Sequence, residues 1–121
     1  MKPKRIYVAD DDEDILQILQ MILHWQGYDV IISKDGLSLA TLREPPDMVF
    51  IDIGMRVSDG SEICCQYKKN PETSSVPVIL LSADAHLLRK AAQCGADEAL
   101  RKPFGVNEIA ELARRYTEDP G

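Results

Sequence analysis

Short apolar segments alternate with amphipathic segments along almost the whole chain, and most of the apolar segments stop at a polar residue. Strands are predicted at residues 5–9, 28–32, 48–51, 76–81 and 98–101. Residues 48–51 are continuously apolar, which is typical of a strand whose two faces are both covered by helices. Strands that alternate with helices in this way form a parallel α/β sheet rather than a β-sandwich or a helical bundle.

Helical periodicity fills the intervals between the predicted strands. Ile15, Ile18, Leu19, Ile22 and Leu23 recur at helical spacing and form one apolar stripe after an acidic helix start at residues 12–14. Gly27 is expected to end this helix. Further helices are predicted at residues 37–42, 61–69 and 87–94 and from residue 106 onward. Five strands and five helices predict a flavodoxin-like, doubly wound parallel sheet of order 2-1-3-4-5, with helices on both faces.

The size and charge of the chain restrict its organisation and its partners. With 121 residues and 45% hydrophobic content, residues 1–121 are predicted to form a single domain with a core of about 4–116 and a frayed tail at 117–121. The formal net charge of −6 argues against nucleic acid or an anionic membrane as a partner. No apolar run approaches the roughly 20 residues that a membrane-spanning helix needs.

The cysteines are an uneven set for disulfide pairing. There are three, Cys64, Cys65 and Cys94, and two of them are adjacent. Such a set is typical of a reducing compartment, and it lacks the paired spacing of a zinc site. The cysteines are therefore predicted to be small reduced hydrophobes in a cytoplasmic protein.

Polar residues follow four of the five predicted strands. Asp10 and Asp11 follow the first strand, Asp52 the third, Ser82 the fourth and Lys102 the fifth. In a doubly wound sheet the carboxyl ends of the strands meet at the ligand-binding edge, so these side chains are expected to lie together. Clustered carboxylates need neutralising charge, which Lys102 supplies in part. The hard oxygen ligands predict Mg²⁺ as the remaining cation, with Mn²⁺ as a substitute.

The same residues fit a phosphoryl transfer to Asp52. A carboxylate is a competent nucleophile, and the cation, Lys102, the Ser82 hydroxyl and the backbone N–H of Ala83 could each stabilise a phosphoryl oxygen. Taken singly, each residue has an ordinary explanation, because an aspartate after a strand is usually a turn or helix-cap residue. The acidic run at residues 10–12 alone fits a solvated helix start equally well. The occurrence of all these residues at one sheet edge favours the functional interpretation.

At this point the chain resembles the receiver domain of two-component response regulators over nearly its whole length. The matching stretches are YVADDDEDI at 7–15, DMVFID at 47–52, DG at 59–60, VPVILLSA at 76–83, GAD at 95–97 and KPF at 102–104. The resemblance implies that Asp52 accepts a phosphoryl group from the phosphohistidine of a histidine kinase or phosphotransfer protein. It implies no enzymatic activity beyond self-phosphorylation and self-dephosphorylation.

The resemblance also assigns the other site residues. It implies that Asp10, Asp11, Asp52 and the backbone carbonyl of Gly54 hold the metal, with Asp11 as the likelier direct ligand of the acidic pair. It implies phosphoryl-stabilising roles for Ser82 and Lys102 and a cis peptide bond before Pro103. The usual docking or dimerisation surface would be formed by the fourth helix, fifth strand and fifth helix, and here it offers Leu87, Leu88, Ala99, Arg101 and Tyr116.

Three positions depart from the family pattern. Ala99 stands where an aromatic residue usually changes rotamer on activation, so the readout of phosphorylation is expected to differ. Gly54 stands where a larger side chain often shields the acceptor, which predicts a short phosphoryl lifetime. Arg56 replaces a frequent proline and is expected to loosen its loop.

Several alternatives remain open at this stage. A phosphatase of the haloacid-dehalogenase type would need a second aspartate where Gly54 stands, and a flavodoxin would need a phosphate-binding loop where Asp10, Asp11 and Asp12 stand. A degenerate receiver that acts only as a protein-interaction module is compatible with Ala99. The chain could also be a receiver domain from a hybrid kinase or a larger regulator.

Overall fold

The computed structural model describes residues 2–118 and shows one five-stranded parallel sheet. The strands are β1 (Arg5–Ala9), β2 (Asp29–Ser33), β3 (Met48–Asp52), β4 (Val78–Ser82) and β5 (Glu98–Arg101). Every neighbouring pair is parallel, and the order is β2-β1-β3-β4-β5. The predicted fold class and strand order are therefore confirmed.

Among residues 2–118, three α-helices lie between strands and a fourth follows β5, so the fifth predicted helix, at residues 37–42, is not an α-helix. They are α1 (Glu13–Trp25), α2 (Gly60–Lys69), α3 (Ala85–Ala91) and α4 (Val106–Thr117). The segment between β2 and β3 is a 3₁₀ helix, Leu37–Thr41, and Ala92–Cys94 forms a second 3₁₀ turn after α3. Only eight residues lie between Gly36 and the Pro45-Pro46 pair, and five of them are helical. So short a segment sustains few α-helical hydrogen bonds, whereas 3₁₀ geometry suits it.

Two apolar cores cover the two faces of the sheet. Ile6, Val8 and Phe50 pack under α1 and α4, whereas Tyr7, Val49 and Leu80 pack under α2 and α3. The stripe predicted on α1 was wrong at Ile18, whose side chain is 46% exposed, while Leu16 is buried. The alternation along each strand follows from the pleat, which points successive side chains to opposite faces.

Aspartates cap the three helices that follow β1, β3 and β4. Asp12 accepts from the N–H groups of Asp14 and Ile15, and Asp59 and Asp84 cap α2 and α3 in the same way. Such caps satisfy N–H groups that have no partner inside the helix. Gly60 allows the start of α2 to lie directly against β3. Any other residue would place a Cβ atom 2.1 Å from the backbone oxygen of Asp52, which is too close. These contacts fix short, rigid loops at the carboxyl edge of the sheet.

A disulfide joins Cys65 to Cys94, which overturns the prediction that all three cysteines are reduced. The two Cα atoms are 4.6 Å apart although 29 positions separate the residues in sequence. Adjacent helical residues point about 100° apart, so Cys64 enters the core while Cys65 faces the neighbouring 3₁₀ turn. The cysteines therefore do not indicate a reducing compartment, and the cytoplasmic location stays a prediction.

The end of α4 also differs from expectation. Thr117 was predicted to begin a frayed tail, but it is the last residue of α4, is buried, and donates its hydroxyl hydrogen bond to Ala113 O. Residues 119–121 of the predicted tail lie outside the described residues. Among residues 2–118, every helix is too short or too polar to cross a bilayer.

Candidate functional site

Three carboxylates meet at the carboxyl ends of the two central strands. Asp10 follows β1, Asp11 follows it, and Asp52 ends β3, and one oxygen from each lies within 4.8 Å of the others. Asp10 is fully buried and Asp52 is 5% exposed, whereas Asp11 is only partly buried. The structure therefore places the three predicted acidic residues close together, because β1 and β3 are neighbouring strands.

Lys102 is a half-buried counter-charge of this cluster. Its Nζ donates to Asp10 Oδ2 at 2.7 Å and lies 3.6 Å from Asp52 Oδ2. Burial raises the pKa of the Asp10 carboxyl, and the hydrogen bond from Lys102 acts against that rise. One ammonium thus faces two buried carboxylates, so the site retains an excess of negative charge. The Lys102–Pro103 peptide bond is cis, the isomer that the family resemblance implied.

Each carboxylate is also oriented by a backbone N–H group. Asp10 Oδ1 accepts from Asp12 N at 3.0 Å, and Asp52 Oδ1 accepts from Gly54 N at 3.0 Å. These bonds close local turns immediately after β1 and β3. The orientation leaves Oδ2 of Asp52 on the side of Lys102, where an incoming group meets positive charge.

Ser82 and Ala83 lie at the same edge but on the next strand. Ser82 ends β4 and is 4% exposed, and its Oγ accepts from Asp84 N at 3.0 Å. Its backbone oxygen accepts from Lys102 N at 2.8 Å, which ties β4 to the lysine. Among the described residues, the hydroxyl has no hydrogen bond to the carboxylates, and Ala83 is exposed. Their roles at a phosphoryl group therefore stay predictions.

Gly54 and Arg56 line the open side of the site. Together with residues 11–14 they border a cavity of about 560 Å³. A Cβ atom at Gly54 would lie 3.6 Å from Asp52 Oδ1, so a larger residue there would stand beside the acceptor without a clash. Arg56 was expected only to loosen its loop, but its backbone N–H and its Nε both donate to Asp11 Oδ2. No feature of the local sequence signals this contact, because 45 positions separate the two residues.

The donor set fits a hard divalent cation. Three carboxylates offer oxygen atoms only, and two of them are buried with a single lysine between them. Mg²⁺ binds one or two carboxylates together with water and phosphate oxygens, which matches a partly open acidic site. Buried negative charge of this kind is unfavourable unless it is paired, so a cation would stabilise the cluster.

The sequence matches one known protein family over most of its length. The family model for the response regulator receiver domain matches residues 6–114. The chain belongs to this family. Receiver domains of response regulators act in two-component signalling, as the resemblance implied.

Solved receiver domains superpose closely on this one. The receiver domain of NtrX from Brucella abortus is 28% identical, has a TM-score of 0.84, and is aligned over 95% of this chain and 99% of its own. A chemotaxis response regulator of Vibrio cholerae has a TM-score of 0.85 at 22% identity, over 95% of this chain and 99% of its own. The receiver domain of a sensor histidine kinase from Pseudomonas aeruginosa, with magnesium in its active-site cleft, has a TM-score of 0.86 at 23% identity, over 96% and 98%.

The expected docking face of this receiver domain is formed by α3, β5 and α4. Leu87 is 41% exposed, and Ala99 and Arg101 are also exposed. Leu88 was wrongly assigned to this face, because it is buried against the sheet. Tyr116 is half-buried and donates its hydroxyl hydrogen bond to Glu98 Oε2. The face therefore offers a smaller apolar surface than the sequence suggested.

Proposed function

We propose that this receiver domain accepts a phosphoryl group on Asp52, in a Mg²⁺-dependent reaction, from the phosphohistidine of a histidine kinase or phosphotransfer protein. The observation that carries the proposal is the position of Asp52, which is 5% exposed, beside two other carboxylates and 3.6 Å from Lys102. In this setting Asp52 Oδ2 stays close to the positive charge of Lys102, and Asp52 Oδ1 is held by Gly54 N.

The chemistry is a nucleophilic displacement at phosphorus. A carboxylate oxygen of Asp52 forms a bond to phosphorus, the bond between phosphorus and the donor imidazole nitrogen breaks, and the electron pair leaves with the imidazole. Lys102 would stabilise one phosphoryl oxygen, as would the Ser82 hydroxyl and the Ala83 N–H. Because such transfers depend mainly on positioning and charge stabilisation, these few groups are a sufficient set.

The metal would be held by this chain's own oxygens. Asp10, Asp11, Asp52 and the backbone carbonyl of Gly54 are the proposed ligands, and Mn²⁺ suits the same donors. When bound, Mg²⁺ neutralises negative charge on the phosphoryl oxygens and on the carboxylates. The hydrogen bonds from Asp12 N and Gly54 N hold two of these carboxylates in place before any cation arrives.

Phosphorylation is proposed to alter partner binding or dimerisation at the face formed by α3, β5 and α4. Ala99 has no rotamer to change, so the signal would have to pass through Ser82 and the start of α3, where Asp84 N bonds the Ser82 hydroxyl. A second candidate function is a protein-interaction module that works without phosphorylation. Ala99 is the observation that favours it.

Incubation with Mg²⁺ and phosphoramidate, followed by intact mass measurement, tests the main proposal. Wild type should gain the mass of one phosphoryl group, Asp52→Asn should gain none, and EDTA should prevent the gain. Asp29→Asn is a matched control, because Asp29 is exposed at the start of β2, at the opposite end of the sheet. Unmodified wild type, or full modification of Asp52→Asn, would contradict the assignment.

Light scattering then separates the two modes of output. Dimerisation predicts that the phosphodonor raises the molar mass of wild type but leaves that of Asp52→Asn unchanged. The interaction-module alternative predicts the same molar mass and the same partner affinity for both proteins, with or without phosphodonor.

A further inference from the structure

Arg56 makes two contacts with one oxygen of Asp11. Its backbone N–H donates to Asp11 Oδ2 at 3.0 Å, and its guanidinium Nε lies 3.3 Å from the same atom. The Arg56 side chain is 88% exposed, whereas that of Asp11 is 22% exposed. The arginine therefore reaches over the open side of the acidic cluster and covers the carboxylate that is most accessible from solvent.

The charges around Asp11 explain why this contact forms. Lys102 is engaged with Asp10 and Asp52, so its charge is directed at the two buried carboxylates. The pKa of Asp11 is lowered, chiefly by the hydrogen bond from the backbone N–H of Arg56 and also by the guanidinium. Arg56 is thus the counter-charge of the third carboxylate, at the mouth of a cavity otherwise bordered by acidic side chains.

The two contacts have opposite consequences for a divalent cation. The backbone N–H fixes the orientation of the carboxylate, in the way that outer hydrogen bonds orient metal ligands. The guanidinium brings a positive charge to the same oxygen and repels a second cation. Because the side chain is long and exposed, it can leave Asp11 without disturbing the fold, so the two effects are separable by substitution.

We propose that Arg56 is an internal competitor for the divalent cation at Asp11, and that its guanidinium weakens Mg²⁺ binding to this receiver domain. The inference rests on the metal site of the proposed function and adds a residue that sets its affinity. An exposed ion pair is weak, so the effect should be a modest change in affinity rather than a loss of binding.

Isothermal titration with MgCl₂ tests the inference without any phosphodonor. Arg56→Gln retains the backbone N–H and removes the charge, and its Kd for Mg²⁺ should be about threefold lower than that of wild type. Arg43→Gln is the matched control, because Arg43 is exposed and lies at the opposite end of the sheet, shortly before β3. Its Kd should equal that of wild type. The rise in melting temperature caused by Mg²⁺ should be larger for Arg56→Gln, since tighter binding gives more stabilisation.

The inference is overturned if Arg56→Gln binds Mg²⁺ no more tightly than wild type, or if Arg43→Gln gains as much affinity. Asp11→Asn separates this failure from failure of the proposed function. If wild type binds Mg²⁺ and Asp11→Asn binds it much more weakly, the metal site stands and only the role of Arg56 is refuted. If wild type and Asp11→Asn bind equally, or neither binds, the metal site itself is wrong and both proposals fall.

Discussion

A lysine lies at the same distance from an aspartate at each end of the sheet, but the two ion pairs have different surroundings. Lys68 Nζ lies 2.7 Å from Asp97 Oδ2 at the amino end, and Lys102 Nζ lies 2.7 Å from Asp10 Oδ2 at the carboxyl end. Both lysine side chains are largely buried, at 11% and 18% exposure. The distances alone would suggest two equivalent structural ion pairs.

The amino-end pair is closed by further hydrogen bonds. Lys68 Nζ also donates to the backbone oxygens of Ser74 and Val76, and Asp97 Oδ2 also accepts from Val78 N. One helical turn earlier, the disulfide Cys65–Cys94 joins the same two segments. Donors and acceptors balance there, so the pair fixes α2 against the start of β4 and β5.

The carboxyl-end pair is left open. One ammonium is shared by Asp10 and Asp52, and the third carboxylate of the cluster has the exposed Arg56 as its counter-charge. Acceptors exceed donors, so further positive charge is favourable at this end. The two ion pairs have equal N–O distances, so distance does not distinguish a structural contact from a reactive site. The distinguishing feature is whether the surrounding hydrogen-bond donors and acceptors are equal in number.

Breaking the disulfide should have the largest effect on stability and should leave the reactive end intact. Cys65→Ser is expected to lower the free energy of unfolding by about 3 kcal/mol, because the bond closes a loop of 29 positions in the unfolded chain. Urea denaturation measures the loss, and Mg²⁺ affinity should not change. Cys64→Ser is the control, because Cys64 is a free, buried cysteine. This variant replaces a sulfur atom with oxygen but breaks no disulfide. Equal stability of Cys65→Ser and wild type would contradict the prediction.

Removing the aspartate of the closed pair should have the next largest effect. Asp97→Ala removes the carboxylate partner of Lys68 and the acceptor of the buried Val78 N–H, and should lower the free energy of unfolding by about 2 kcal/mol. Glu72→Ala removes an exposed carboxylate near the same end and should change stability by less than about 0.5 kcal/mol. If the two variants were equally stable in urea, Asp97 would not have the structural role inferred here.

Neutralising Asp52, the proposed phosphoryl acceptor at the carboxyl end, should change stability least and should raise it. In EDTA, Asp52→Asn should raise the free energy of unfolding by about 1 kcal/mol, since it relieves repulsion with Asp10 while Lys102 keeps a partner. Mg²⁺ should reduce this difference, because it stabilises wild type more than the variant. A destabilised Asp52→Asn in EDTA would show that the carboxyl end is as balanced as the amino end.

Much of this organisation was accessible from the sequence. The sequence predicts all five strands within two residues of their observed bounds. Gly60, which leaves no room for a Cβ atom beside Asp52, is part of a stretch that matches the family. The acidic residues and Lys102 could be placed together because a parallel sheet gathers strand ends at one edge. The hydrophobic pattern of the sequence predicted a side chain's position correctly wherever strand direction and the pleat of the sheet alone determine it.

The sequence was less informative about contacts between distant segments. Cys65 and Cys94, or Arg56 and Asp11, show no pairing signal along the chain. Helix rotation was also misjudged, since Ile18 and Leu16 are both apolar and only packing against the sheet buries one of them. Periodicity fixes a helical stripe to within about one residue, and the neighbouring elements select its centre.

By itself, the sequence determined the parallel α/β fold and the polar residues at its strand ends, because these follow from local periodicity and from where each strand stops. The strand order came from the doubly wound fold class. Only the tertiary structure decided how the charges are partnered. In the folded chain, backbone groups complete the hydrogen bonding of Lys68 and Asp97, and Lys102 is shared between two carboxylates. Arg56 donates a hydrogen bond to Asp11. Electrostatic partnership depends on distances of a few ångströms between segments far apart in the chain, and those distances exist only once the chain has folded.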